Sequence, residues 1–210
     1  AILHAILEVM ERDDMSVAGR TRCMGRRLEL DHPCPARDIR DKMESSGIEI
    51  HLWLLSGRTR IPTVAAAADD TVIKDPELLV IGSGTHPDPA IAALRALTEV
   101  AQSRASHLSG GRENPDRKSL VERAGYDRMK RINREWFSRA EEIPISSMDD
   151  LSTPYIDDDI RLVLEELRPF AERVCVCDLT RTIIPVVRVI IPGFEVSNVN
   201  PARVRGHSTH

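Results

Sequence analysis

Residues 78 to 104 constrain the fold most. Four consecutive apolar residues, Leu78 to Ile81, precede Gly82, Ser83 and Gly84, then Asp88 and Pro89, then an Ala- and Leu-rich stretch that runs to Arg104. A short apolar run bounded by glycine reads as a buried strand, and Asp followed by Pro is how a capped helix begins. The expected order is therefore strand, glycine turn, helix. Such a turn offers backbone N–H groups to an anion, but its spacing matches neither the dinucleotide fingerprint nor the lysine-bearing P-loop, so neither of those folds follows.

At about 100° per residue, Asp88, Arg95, Glu99 and Gln102 share one polar strip of this helix, whereas Leu94, Leu97 and Ala101 face elsewhere. Arg104 lies almost opposite the strip, which makes it structural. For Arg95 and Glu99 an i,i+4 ion pair worth a few tenths of a kcal/mol reads equally well from these residues alone.

A second patterned segment opens the chain. Ile2, Leu3, Ile6, Val9 and Met10 occupy one side of a predicted helix, and His4, Glu8, Glu11 and Arg12 gather in a sector on the other. Glu8 and Glu11 repel unless something positive stands between them, and two hard carboxylates suit a divalent cation, Mg2+ especially. Arg12 would then take a phosphate that the metal carries. A solvated charged face is the competing reading of the same spacing.

The remaining segments alternate between strand and helix patterns. A short amphipathic helix is predicted from Asp38 to Ser46, ended by Gly47, followed by strands over Ile48–Leu55 and Ile61–Ala68. Two closing strands, Val174 to Thr180 and Ile184 to Pro192, are expected to join the same sheet. Helices are predicted over Lys118–Ser138 and Tyr155–Phe170, the latter with Asp157, Asp158 and Asp159 favouring its N-terminus rather than binding metal. Residues 109 to 117 have the Gly and Pro content of a surface loop, a candidate lid. The fold class is α/β (α+β), a mixed sheet with packed helices, with no internal repeat or domain boundary.

Composition restricts function more than fold. The 210 residues carry a net charge of −4, which argues against a general nucleic-acid binder despite local basic clusters at Arg20–Arg27 and Arg128–Arg134. No apolar run reaches the length of a membrane span, and no secretory signal is visible. Cys175 and Cys177 alternate with valines and are expected to pack in a core in a reducing compartment. Cys23, His32 and Cys34 lack the paired spacing of a structural zinc site.

Taken together, the segments around Glu8, Glu11 and Arg12, the stretch from Gly84 and His86 through Arg95, Glu99, Gln102 and Arg104, and the closing strand pair as far as Gly193 resemble the YcaO family of ATP-dependent peptide-backbone-modifying enzymes. The resemblance implies a YcaO-like fold, ATP and Mg2+ as cofactors, and Mg2+ ligation by Glu8 and Glu11. It also implies nucleotide contacts from Arg12, Arg95, Glu99 and Gln102. Glu8, Glu11 and Arg12 are the expected catalytic groups.

Family members also carry an earlier acidic helix that this sequence lacks. The chain, residues 1 to 210, thus resembles the C-terminal part of a YcaO domain without its N-terminal ATP-binding half. A Pro-x-Pro-x-Pro tail, typical of azoline-forming cyclodehydratases, is absent, and the sequence looks closer to archaeal members that act with a TfuA partner and a sulfide source. The resemblance thus implies thioamidation of a protein substrate such as methyl-coenzyme M reductase, with cyclodehydration as the alternative. A non-catalytic peptide- or partner-binding scaffold is the reading from another class. A homodimer is the family expectation, and length and composition agree with a cytoplasmic location.

Overall fold

The computed structural model describes residues 1–109 and 115–195. Its main sheet has five strands in the order β4-β3-β2-β1-β5: β1 (Arg26–Glu29), β2 (Ile48–Leu54), β3 (Thr63–Asp70), β4 (Val80–Thr85) and β5 (Glu142–Pro144). All neighbours run antiparallel except β1 and β5, so the sheet is mixed as expected. β1 and β5 are short and lack a period-2 pattern long enough to read from sequence.

β3 is buried along its whole length and contains four consecutive alanines, Ala65 to Ala68. Because side chains alternate across a sheet, Val64, Ala66 and Ala68 join the core under helices α2 (Pro35–Ser45) and α3 (Pro89–Leu108). Ala65 and Ala67 join a second cluster on the opposite face with Ala18, Trp53 and Trp136. Methyl groups on both faces let helices approach closely from each side. Helix α1 (Ile2–Thr21) then uses Ile6, Leu7 and Met10 to meet α6 (Ile156–Leu167) through Val163 and Leu167.

Several expected boundaries shift for physical reasons. Leu78 ends a short 3-10 turn begun by Pro76, and β4 runs from Val80 through Thr85, so Gly82 and Gly84 lie inside a strand and not in a turn. A Cβ on Gly82 would stand 2.4 Å from the Ala96 carbonyl oxygen, and one on Gly84 would stand 2.5 Å from that of Ala92. The glycines let β4 press against α3 and do not form an anion cradle. The helix expected over 118–138 is two helices, α4 (Pro115–Ala124) and α5 (Tyr126–Ile132), broken by Gly125 with φ of +75°.

The two closing strands, β6 (Cys175–Asp178) and β7 (Val187–Ile190), form a separate hairpin and do not extend the main sheet. Cys175 and Cys177 are exposed on β6, contrary to the expected core packing. On β7, Val189 is partly buried and packs against the α1 cluster. Cys23 is exposed, Cys34 packs beside the main core and His32 lies against Asp31, so the three do not converge on a metal site. Asp157, Asp158 and Asp159 lie in the first turn of α6, where they complement the helix dipole; Asp159 also accepts from the upstream Thr153 N–H at 2.7 Å, and Tyr155 stands at the N-cap without a side-chain cap bond. Of the candidate lid at residues 109–117, residues 110–114 lie outside the described residues, Ser109 caps the end of α3 and residues 115–117 begin α4.

Candidate active site

The site forms where α1, β4 and α3 meet. Asp88 caps α3 by accepting from the Ala90 N–H at 2.7 Å, with Pro89 at the first helical position. His86, whose pKa burial pushes down, accepts the Asp88 N–H on Nδ1 at 3.0 Å and holds the turn before that cap. α3 therefore starts at a fixed place and runs back along β4.

β4 is an edge strand, so the N–H and C=O groups on its outer side have no neighbouring strand to bond. Side chains from the two helices pair with three of them. The Ser83 N–H donates to Glu99 at 2.7 Å, the Thr85 N–H donates to Glu11 at 3.1 Å, and the Thr85 carbonyl accepts from Arg95 Nη1 at 2.9 Å. Ser83 Oγ adds a bond to the other oxygen of Glu11 at 2.8 Å. The strand edge thereby aims two carboxylates and one guanidinium into the same space.

That space is a cavity of about 410 Å³ lined by Glu8, Glu11, Arg12, Arg95, Glu99 and Gln102, together with Met15, Ser16, Ile81, Ser83 and Thr98. All six residues expected from the sequence are brought together. Arg104 is excluded, as its position on the helix implied: it is buried on another side, paired with Asp70 at 2.7 Å. Arg95 and Glu99 do not bridge each other; Arg95 bonds Thr85 and reaches His4 Nδ1 at 3.3 Å, while Glu99 bonds Ser83. Arg12 pairs with Glu8 at 2.5 Å at the cavity mouth, where both are well exposed.

Burial raises the pKa of Glu11; Ser83 and Arg95 oppose the rise, and the like charges of Glu8 and Glu99 add to it. A carboxylate desolvated between two other carboxylates gains most from a cation in the cavity. Sequence reasoning passed over Ser83 and Thr85, which orient the acids. Their signal was the polar side chains alternating with glycine in Gly82-Ser83-Gly84-Thr85, a strand with a packed face and a polar one.

A family model described as YcaO cyclodehydratase, ATP- and Mg2+-binding, matches residues 1–195. The chain belongs to the YcaO family. An uncharacterized protein of Methanothermobacter thermautotrophicus is 48% identical over 211 residues, covering 97% of this chain and 55% of its own length. The structure of YcaO from Methanopyrus kandleri bound with AMPPCP and Mg2+ matches with a TM-score of 0.83 and 29% identity, covering 98% of this chain and 54% of that one. An uncharacterized protein in the tfuA 3′ region of Rhizobium leguminosarum bv. trifolii is 25% identical over 221 residues, 93% of this chain and 50% of its own. The chain spans about half the length of the curated relatives it matches.

The donor set fits the cofactors that the YcaO description names. Glu8, Glu11 and Glu99 offer hard oxygens, and Arg12 and Arg95 offer planar N–H donors that match phosphate. Among the described residues, no three of His, Cys, Asp and Glu form a group that would hold a metal by itself. Mg2+ usually takes one or two carboxylates and completes its shell with phosphate oxygens and water. No helix among the described residues is long and apolar enough to cross a membrane.

Proposed function

We propose that this chain is the C-terminal part of a YcaO enzyme that binds Mg2+ and ATP in the α1–β4–α3 cavity and activates a peptide backbone amide by phosphorylating its oxygen. The observation that carries the reading is the convergence of Glu8, Glu11, Glu99, Arg12 and Arg95 on one cavity in a chain of this family. Bound Mg2+ would neutralise triphosphate charge. Glu8 and Glu11 would hold it, Glu99 and Gln102 would complete the polar wall toward the nucleotide, and Arg12 and Arg95 would stabilise the phosphoryl group in transfer. Arg12 exchanges its Glu8 partner for phosphate in this scheme, a small loss because the pair is exposed.

The chemistry balances without a redox step. A nucleophile adds to the amide carbon, the amide oxygen takes the γ-phosphoryl group of ATP with release of ADP, and phosphate then leaves with that oxygen. With sulfide as nucleophile the product is a thioamide; with a neighbouring Cys, Ser or Thr of the substrate it is an azoline. We favour peptide thioamidation, with a TfuA partner, a sulfide source and a protein substrate such as methyl-coenzyme M reductase. The relative in a tfuA 3′ region supports the partner, and cyclodehydration, the activity named in the family description, is the second reading. A cytoplasmic homodimer is part of the same proposal.

Mass spectrometry of a peptide substrate treated with the full-length enzyme, ATP, Mg2+ and sulfide tests this. Exchange of oxygen for sulfur supports thioamidation. Loss of water alone supports cyclodehydration, and an unchanged peptide with no ATP consumed overturns both and leaves the scaffold.

A further inference from the structure

We infer that Asp14, Thr63 and Thr85 are positioning residues for the nucleotide site, acting through a hydroxyl chain that fixes Glu11 and Arg95 relative to each other. The inference rests on the Mg2+·ATP reading of the cavity. Thr85 is the node. Its N–H donates to Glu11, and its carbonyl accepts from Arg95, so one residue at the end of β4 holds an acid and a base that line the cavity. A displacement of Thr85 moves both contacts at once.

What fixes Thr85 lies behind the cavity. Its Oγ1 is 2.7 Å from Thr63 Oγ1, and Thr63 donates onward to Asp14 Oδ2 at 2.6 Å. Each hydroxyl carries one proton, so with the Thr63 proton committed to the Asp14 carboxylate, Thr85 must be the donor in the Thr–Thr bond. All three residues are buried, at 7%, 1% and 0% exposure for Asp14, Thr63 and Thr85. Water is thus a poor substitute for any missing link.

The chain closes on itself. Asp14 lies three residues beyond Glu11 in α1, so the path from α1 through β3 and β4 returns to α1 within a single helical turn. This ring fixes the separation and tilt between the helix that carries Glu8, Glu11 and Arg12 and the strand edge that aims Glu11. Hydrogen bonds supporting a ligating side chain are worth about 10- to 100-fold in metal affinity.

The test is calorimetric binding of AMPPCP with Mg2+ to the full-length protein, alongside melting temperatures without ligand. Thr63→Val keeps the shape and deletes the hydroxyl; Thr63→Ser keeps the hydroxyl and deletes a methyl. We expect about tenfold weaker binding for Thr63→Val and near-wild-type affinity for Thr63→Ser, even though both lower the melting temperature. Affinity that tracks melting temperature across the two variants, or a Thr63→Val protein that binds like wild type, overturns the inference. Glu11→Gln separates the two layers: lost binding there with intact binding in Thr63→Val sinks only the relay, whereas intact binding in Glu11→Gln sinks the relay and the cavity assignment together.

Discussion

Helix α1 carries acids on two sides, and they are treated differently. On the cavity side, Glu8 and Glu11 contact an exposed arginine, a serine hydroxyl and a backbone N–H, and both line open volume. On the other side, Asp13 is almost fully buried, accepts from the Glu195 N–H at 2.6 Å and faces Arg58 at 3.0 Å, while Glu195 takes Arg20 at 3.1 Å. The rear acids are neutralised by the protein itself and lock the segment after β7 onto α1. The front acids have only part of that neutralisation, and a carboxylate held that way is prepared for a cation from outside.

Substitutions at the two sides should therefore fail in different ways. Asp13→Ala leaves Arg58 and the Glu195 N–H without their acceptor and should cost about 3 kcal/mol or more, read as a shifted denaturation midpoint. Nucleotide binding by the fraction that stays folded should be preserved. Glu11→Ala should lower ATP turnover about 100-fold or more in the full-length enzyme, the scale of losing one preorganised electrostatic group. Turnover that survives both Glu8→Ala and Glu11→Ala would erase the distinction between the two sides.

Asp14 sharpens the comparison through pH. Burial, opposed mainly by the Thr63 hydrogen bond, pushes its pKa up to about 6 from an ordinary value of 3.8. The folded protein then holds this proton more tightly than the unfolded chain does, so its contribution makes stability fall as pH rises between about 4 and 6. Relative to Asp14→Asn, which cannot titrate, wild type should lose about 3 kcal/mol across that window, and denaturant titrations at several pH values measure it. Parallel curves for the two proteins would contradict the burial of this carboxyl.

Gly84→Ala should cost about 1–3 kcal/mol, because the new methyl meets α3 backbone that cannot move without shifting Arg95. Arg12→Ala sits at the small end. The exposed pair with Glu8 contributes a few tenths of a kcal/mol to stability, so the melting temperature should hardly change while the apparent KM for ATP rises.

What could be read from the sequence follows from range. The cap at Asp88 is a local signal, and the strip of Arg95, Glu99 and Gln102 and the cluster of Glu8, Glu11 and Arg12 depend on periods within one helix; the strip and the cluster line the cavity, whereas Asp88 caps α3 outside it. The break at Gly125 and the extension of β4 through two glycines were missed because each depends on the local backbone and on what packs there. The rear lock and the Asp14–Thr63–Thr85 chain were invisible for a simpler reason: Thr63 is 49 residues from Asp14, and Glu195 is 182 from Asp13. The exposed cysteines of β6 looked like core because alternation with valine marks two faces without saying which is covered.

A crystal structure of the full-length enzyme with Mg2+ and AMPPCP tests the central claim most directly. The account predicts carboxylate oxygens of Glu8 and Glu11 about 2.1 Å from Mg2+, with Arg12 and Arg95 on phosphate oxygens. A nucleotide bound elsewhere, with Glu8 still on Arg12 and both acids remote from any metal, would contradict it.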